Sequence, residues 1–165
     1  MAFDASSGHD PLMLKHEFSM EMPHSAARVW ALLQDYEHWT DWSEMVFRVD
    51  VLWPGDENQN GRLRRVFYQL PDGPTGASLE LVTEVTPERG HTYTMISRDG
   101  NDHYGHVRLE PLGPNRTMLF FDEEADMSPE VYEFINKHNE DHMRAASQYL
   151  TDHPEYRPDL VDREG

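Results

Sequence analysis

The stretch from residue 45 to residue 125 constrains the fold most, because it consists of six strand-like runs separated by short segments rich in turn residues. The separators are PGDENQNG, PDGPTG, TPERG, RDGND and PLGPN, in which Gly, Pro, Asn and Asp favour the backbone angles of turns. Connections this short join neighbouring strands that run in opposite directions, so the pattern predicts an antiparallel meander. The predicted strands are 46–53, 63–70, 78–85, 92–97, 103–109 and 117–123.

Further elements are predicted on both sides of the meander. Residues 14–22 alternate between polar and apolar side chains, as a half-buried strand does. Apolar residues then recur at helical spacing over 26–33 after a Pro/Ser start signal, and a second short helix is predicted over 36–42. After the meander, Ser128-Pro129 provides an N-cap followed by proline, and the periodic pattern predicts one long helix to about Leu150.

This order of elements predicts an α+β fold in which a curved seven-stranded antiparallel sheet wraps around a long C-terminal helix. A sheet of this size must curl, and the terminal helix is the apolar partner available for its concave face. Such an arrangement leaves a cavity between sheet and helix, which we expect to open near the loops after the short helices. The predicted division is a flexible N-terminal arm over 1–12, one domain over 13–152 and an acidic tail over 153–165.

Composition and charge exclude several classes of function. The formal net charge is −17, and the 14 Lys and Arg residues are too few to form the basic surface that nucleic-acid binding requires. The chain has no cysteine, no apolar run of about 20 residues and no secretory signal pattern, so we expect a cytoplasmic protein without membrane insertion. The motifs GxGxxG, GxxxxGK, HExxH and GxSxG are absent, and no cofactor is expected. The oligomeric state is left open, with a homodimer as one alternative.

Three segments resemble a known family. VWALLQDYEHWTDW, residues 29–42, resembles the opening of the START-like helix-grip (SRPBCC) superfamily, which includes polyketide cyclases and lipid-transfer proteins. LVTEVTPERG and TMLFFDEEADMSP are similar to the fourth strand and the last strand of single-domain polyketide aromatase/cyclases. Those cyclases carry an arginine late in the fourth strand and a serine two residues before it. The matching positions here are Val85 and Thr83, so the cation of the family pattern is missing from this strand.

The resemblance implies a protein that binds a hydrophobic or aromatic polyketide-like small molecule in an internal cavity. Within the family, such binding serves either cyclisation and dehydration of a reactive poly-ketone or transport and sensing of a lipid or other apolar molecule. A polyketide aromatase/cyclase-type enzyme is therefore one hypothesis, and a non-catalytic carrier or sensor is the alternative.

Strand alternation supplies candidate ligand contacts. If Thr83 faces inward, then Leu79, Leu81 and Val85 line the same wall and Glu80 and Glu84 face outward. In the neighbouring strands we predict that Tyr93 faces the ligand and that an inward Arg64 or Arg65 replaces the missing cation. His103 and His106 lie on opposite faces of their strand, each predicted to be a surface residue, and the carboxylates of DEEAD are predicted to form a solvated edge.

The segment INKHNEDHM places two histidines, His138 and His142, four residues apart on the apolar stripe of the long helix. A metal site is not favoured, since no third ligand stands at a suitable spacing. The alternatives are a satisfied histidine pair or a polar wall that touches the ligand. In the second case His142 is the favoured proton carrier, because its ordinary pKa of ~6.5 lies near working pH. Further ligand contacts predicted on this stripe are Phe134, Ile135 and Tyr149.

Overall fold

A computed structural model describes residues 13–69, 75–96, 103–126 and 129–156, apart from the side chains of residues 130 and 131. The predicted N-terminal arm, the Ser128 cap and residues 157–165 of the predicted tail lie outside the described residues. The helices are α1 (Ala26–Gln34), α2 (Trp39–Trp42), which follows a 3₁₀ turn over Tyr36–His38, and α3 (Pro129–Asp152). The strands are β1 (Met13–Met22), β2 (Val46–Trp53), β3 (Arg62–Gln69), β4 (Thr75–Thr86), β5 (Gly90–Met95), β6 (His103–Gly113) and β7 (Arg116–Asp126).

The seven strands form one antiparallel sheet in the order β1-β7-β6-β5-β4-β3-β2. The meander therefore runs as predicted, and the first strand closes the far side by pairing with the last. Helix α3 packs against α1 and β1, and the fully buried side chains of the core include Met22, Leu32, Leu119 and Leu150. This is the predicted curved sheet around a C-terminal helix.

Arg28 on α1 fixes the end of α3. Its guanidinium donates hydrogen bonds to the backbone carbonyls of Leu150, His153 and Tyr156, at 3.2, 3.0 and 3.3 Å. The last carbonyls of a helix have no partner within the helix and carry partial negative charge, so a cation there both satisfies and stabilises them. Tyr156 then donates to Asp35 at 3.0 Å. Residues 153–156, the first four of the predicted tail, thus contact α1 and the residue that follows it.

A glycine in the middle of the sheet positions a side chain of the neighbouring strand. Gly105 on β6 lies opposite Tyr93 on β5, and a Cβ added to Gly105 would lie 2.2 Å from the Tyr93 ring. Because glycine has no side chain, the phenol can lie across β6 and reach β7. This close approach places the Tyr93 hydroxyl within hydrogen-bond distance of Glu123 in the interior.

Candidate functional site

The sheet and α3 enclose a cavity of about 270 Å³. Its walls combine nine apolar side chains with twelve that carry a polar group. The apolar lining consists of Leu33, Met45, Val46, Val66, Met95, Val107, Phe121, Ile135 and Met143. The polar lining consists of Trp39, Arg64, Tyr68, Ser78, Glu80, His91, Tyr93, His103, Glu123, His138, Asn139 and His142.

The cavity approaches the surface between the α2–β2 connection and α3. A surface depression lined by Ser43, Glu44 and residues of α3 shares Met45, His138 and His142 with the cavity lining. The sequence predicted an opening near the loops after the short helices, and this depression lies at that position.

A buried cation lies on the wall formed by β3 and β4. Arg64 is 3% exposed, and its Nε and Nη2 donate to Glu80 Oε2 at 2.8 and 2.7 Å. Glu80 also accepts a hydrogen bond from Ser78 at 2.7 Å. Burial acts to lower the pKa of Arg64, but Tyr36, Glu80 and Tyr93 together raise it above its usual value. The guanidinium is therefore charged at every accessible pH, and its charge is matched by one carboxylate.

A second buried carboxylate, Glu123 on β7, is surrounded by three side chains. Its Oε1 accepts from the Tyr93 hydroxyl at 3.1 Å and contacts His103 Nε2, while Oε2 accepts from Asn139 Nδ2 at 2.9 Å. Burial, followed by the charge of Glu123, raises the pKa of Tyr93 well above its usual value. The phenol thus stays protonated, and Glu123 joins β5, β6, β7 and α3 at one point of the cavity wall.

His142 lies on the cavity wall, but its surroundings keep it neutral. Ser43 Oγ already accepts the backbone N–H groups of Met45 and Val46, so its own hydrogen is directed to His142 Nδ1 at 2.9 Å. This bond leaves the imidazole proton on Nε2. Burial and then the positive charge of Arg64 lower the pKa of His142 to about 4. The argument that made His142 the favoured proton carrier assumed an ordinary pKa, whereas desolvation and a nearby cation both disfavour its imidazolium.

Several nitrogen atoms of the lining have no hydrogen-bond partner among the described residues. They are Trp39 Nε1, Arg64 Nη1, His91 Nδ1 and His138 Nε2, all buried. The first two can only donate, and the carbon of the Arg64 guanidinium lies 5.1 Å from the centre of the Trp39 ring. Two unused donors therefore occupy the same corner of the cavity.

The prediction for the face of β4 was wrong. Ser78 and Glu80 line the cavity and Val82 is completely buried, whereas Leu79, Leu81 and Thr83 alternate with them on the opposite face. The physical reason is the cross-strand partner: Glu80 lies opposite the inward Arg64, and period-two alternation then fixes every neighbour.

Val85 is also absent from the cavity lining, although it packs against the core. The preceding residue, Glu84, has a φ of 53°, and the pairing register with β5 shifts between Thr83 and Thr86. This irregularity interrupts the alternation that the prediction assumed.

The remaining predicted residues divide into two groups. Tyr93, Arg64, His138, His142 and Ile135 all line the cavity. Two others from α3 do not. Phe134 packs against the His138 ring at 4.2 Å between centres, and Tyr149 packs against the ring of His153 at the same distance.

Sequence reasoning missed eight polar residues of the lining, which are Trp39, Tyr68, Ser78, Glu80, His91, His103, Glu123 and Asn139. His103 and Glu123 were predicted at the surface, but both side chains are largely enclosed. A signal for Glu123 was present, since Leu119, Phe121 and Ala125 share its face of the strand. His91 is 7% exposed, and burial followed by the charge of Arg64 lowers its pKa to about 3, so it too is neutral.

Neither a metal centre nor a membrane span is found in the part of the chain that the structure describes. There, no three histidine or carboxylate side chains are grouped so as to hold a metal ion. No helix among the described residues is long and apolar enough to cross a bilayer.

A family model supports the relationship that the three sequence segments suggested. The model described as polyketide cyclase / dehydrase and lipid transport matches residues 13–153. A search among proteins of curated function finds no match.

Solved structures share the fold at low sequence identity. A START superfamily protein from Mycobacterium smegmatis is 16% identical with a TM-score of 0.73, covering 84% of this chain and 97% of its own. The Zhui aromatase/cyclase from Streptomyces sp. R1128 is 14% identical with a TM-score of 0.73, covering 87% and 96%. Norcoclaurine synthase from Thalictrum flavum, in complex with dopamine and hydroxybenzaldehyde, is 15% identical with a TM-score of 0.64, covering 86% and 88%. At these identities the likeness establishes the helix-grip fold.

Proposed function

Because the chain belongs to the polyketide cyclase / dehydrase and lipid transport family, we propose that it binds a compact, oxygen-bearing aromatic or polyketide-like molecule and promotes its cyclisation and dehydration. The ligand occupies the cavity between the sheet and α3.

The pair of unused donors at Arg64 and Trp39 carries this proposal. A buried donor without a partner costs about 1–3 kcal/mol, and this cost is recovered when a ligand brings an acceptor atom. A hydrocarbon chain has no such atom, whereas a ketone, enolate or phenol oxygen does. The cavity volume of about 270 Å³ lies just below the range of about 300–1,000 Å³ that is typical of small-molecule sites, which favours a compact ring system over a long-chain lipid.

Arg64 is suited to stabilise negative charge on a ligand oxygen. It is permanently charged, buried and held in place by Glu80, and its free Nη1 is a preorganised donor in a site from which most water is excluded. Removal of a proton from the carbon between two carbonyls creates an enolate, whose charge resides largely on oxygen. The positive group that β4 lacks at Val85 is thus supplied by β3.

His138 is the proposed base, because it lines the cavity and its Nε2 has no hydrogen-bond partner among the described residues. With its proton on Nδ1, Nε2 removes the carbon-bound proton of the substrate, and the enolate carbon attacks a second carbonyl of the same molecule. A carbon–carbon bond forms, and the new alkoxide takes the proton back from the imidazolium. Loss of that hydroxyl with a neighbouring C–H proton releases water, so the sequence needs no cofactor.

The polar group around Glu123 has a different role in this proposal. Both carboxylate oxygens already have partners, so Tyr93, His103 and Asn139 hold a fixed surface that orients the ligand. Orientation of two reacting carbons within one molecule is itself a large part of the acceleration of ring closure.

Native mass spectrometry of the freshly purified protein tests the ligand class. A bound aromatic or polyketone compound with several oxygens is expected, and a long-chain lipid would contradict the proposal in favour of the carrier. For catalysis, a short linear β-polyketone ester should lose one water when incubated with the protein. His138→Gln should slow that loss by about 10²-fold or more while leaving binding intact, and an unchanged rate would remove His138 as the base.

A further inference from the structure

Strand β2 forms one end of the described sheet and carries an exposed apolar surface. It pairs with β3 on one side, and no described strand lies on its other side. Phe47, Val51 and Leu52 are 50, 46 and 46% exposed, and Trp53 is 63% exposed. An edge strand with such side chains is a template for pairing with another chain, and proteins usually protect such edges with charge.

The charge of this region singles it out from the rest of the molecule. Residues 46–69, which form β2, β3 and their connection, contain three acidic residues and, apart from the buried Arg64, three arginines, so their other charges balance in a chain whose net charge is −17. The negative charge of the chain therefore lies outside this segment, and two copies in contact through β2 bring together a charge-balanced surface that also exposes apolar side chains.

We propose that β2 pairs antiparallel with β2 of a second copy, about a two-fold axis at Val49. In this register Arg48 lies opposite Asp50 of the other copy, Asp50 lies opposite Arg48, and Val49 faces itself. A shift by one residue places each charge opposite a valine or phenylalanine. A shift by two places Arg48 opposite Arg48 or Asp50 opposite Asp50, which is destabilising.

The irregularities of β2 limit the contact to this central segment. Its register with β3 shifts between Val46 and Arg48 and again between Val51 and Trp53, so the regular part of the strand spans 48–51. Within one chain, Arg48 Nε and Nη2 donate to the Asp50 carboxylate at 2.7 Å each, which leaves the two charges side by side at the edge. The same two side chains can form the pair across the axis, with Phe47 and Trp53 on its flanks.

Cysteine cross-linking tests the register, because the chain contains no cysteine of its own. At the axis, facing Cα atoms lie about 4.5–5.5 Å apart, within the range of about 4.4–6.8 Å that a disulfide requires. Val49→Cys should therefore form a covalent dimer on mild oxidation. Val51→Cys is the matched control: Val51 faces Phe47 of the other copy, which puts its own counterpart about 13 Å away along the strand.

Val51 is also nearly half exposed, so cross-linking by random collision would favour Val51→Cys over the half-buried Val49. A disulfide dimer at residue 51 equal to or stronger than that at residue 49 would overturn the proposed register. The yield at residue 49 is expected to exceed that at residue 51 several-fold.

Sedimentation equilibrium with charge variants tests the interface in solution. The unmodified protein should reach twice the chain mass of 19.3 kDa. Asp50→Arg places four arginines around the axis and should raise the dimer dissociation constant about tenfold or more, and adding Arg48→Asp to it should restore the dimer. Exchange of Glu21 and Arg116, an exposed pair at the other end of the sheet, should change nothing.

A single-chain mass at high protein concentration, or a dimer indifferent to Asp50→Arg, would overturn the proposal. The same conclusion would follow if the unmodified protein remained monomeric and bound to vesicles of anionic lipid through this edge. Sedimentation equilibrium requires neither substrate nor turnover, so its result is independent of the activity proposed above.

Discussion

The unused indole donor of Trp39 allows a direct test of how the cavity recognises oxygen. Trp39→Phe removes the Nε1–H while keeping an aromatic ring on the cavity wall. Trp42→Phe is the matched control, since Trp42 also has a buried Nε1 without a partner in the described chain but does not line the cavity. The two residues are 8% and 7% exposed, and their rings lie 6.0 Å apart.

The expected effect follows from the single hydrogen bond that is lost. A hydrogen bond to a ligand oxygen contributes about 0.5–1.5 kcal/mol net, so Trp39→Phe should weaken binding of 1,3-dihydroxynaphthalene roughly 2- to 13-fold. Trp42→Phe should leave that affinity within experimental error. Isothermal titration calorimetry measures both, because it does not depend on tryptophan fluorescence.

Unsubstituted naphthalene separates the loss of the donor from the change of shape. It fills the cavity without an acceptor, so both variants should bind it with nearly the same affinity as the parent protein. Equal losses for naphthalene and for the diol in Trp39→Phe would mean that shape alone matters. A loss of diol affinity in Trp42→Phe equal to that in Trp39→Phe would refute the argument from the unpaired donor.

Three further predictions concern stability. Gly105→Ala should cost about 1–3 kcal/mol in urea unfolding, because its Cβ would overlap the tyrosine ring above it. Gly113→Ala should cost much less, because no described atom lies within 4 Å of the added Cβ, and equal costs would contradict the steric explanation. Arg64→Met should destabilise by about 3–5 kcal/mol by leaving a buried carboxylate unpaired. Adding Glu80→Met should recover much of this, and a double variant no more stable than the single would be the contrary result. His142 has a pKa of about 4 when folded and 6.5 by reference, so the unfolded chain takes up its proton first and stability falls as pH drops from 6.5 to 4. His142→Gln should reduce that slope by up to about 1.4 kcal/mol per pH unit, and an unaltered slope in thermal unfolding would contradict the lowered pKa.

The sequence predicted the order of elements because turn residues mark the strand ends clearly. Strand β2 begins and ends where it was predicted, and the sheet order follows from short antiparallel connections. Strand β4 begins three residues before the prediction, and β6 and β7 end four and three residues after it, because backbone pairing continues beyond the alternating apolar residues. The additional residues pair through their backbone whatever their side chains are.

The sequence could not decide which face of β4 lines the cavity. Alternation defines two sets of residues, and the match of Thr83 to the family's serine position led to the choice of the set with Leu79 and Leu81 for the interior. The structure selects the other set because Glu80 pairs with Arg64 on the neighbouring strand. A buried ion pair between strands overrides the apolar preference of one strand, and it becomes visible only when the register of the two strands is known.

The distinction that matters in this cavity is between polar groups that the protein already satisfies and those that it does not. Glu80 and Glu123 are titratable and buried, yet each is held by two or three side chains, so neither is free to recognise a ligand. His142 accepts from Ser43 and stays neutral. Arg64 Nη1 and Trp39 Nε1 have no hydrogen-bond partner in the part of the chain that the structure describes, and the two side chains lie in one corner of the cavity. Recognition of an acceptor oxygen therefore falls to the groups that packing leaves unsatisfied, and residue type alone does not reveal which groups those are.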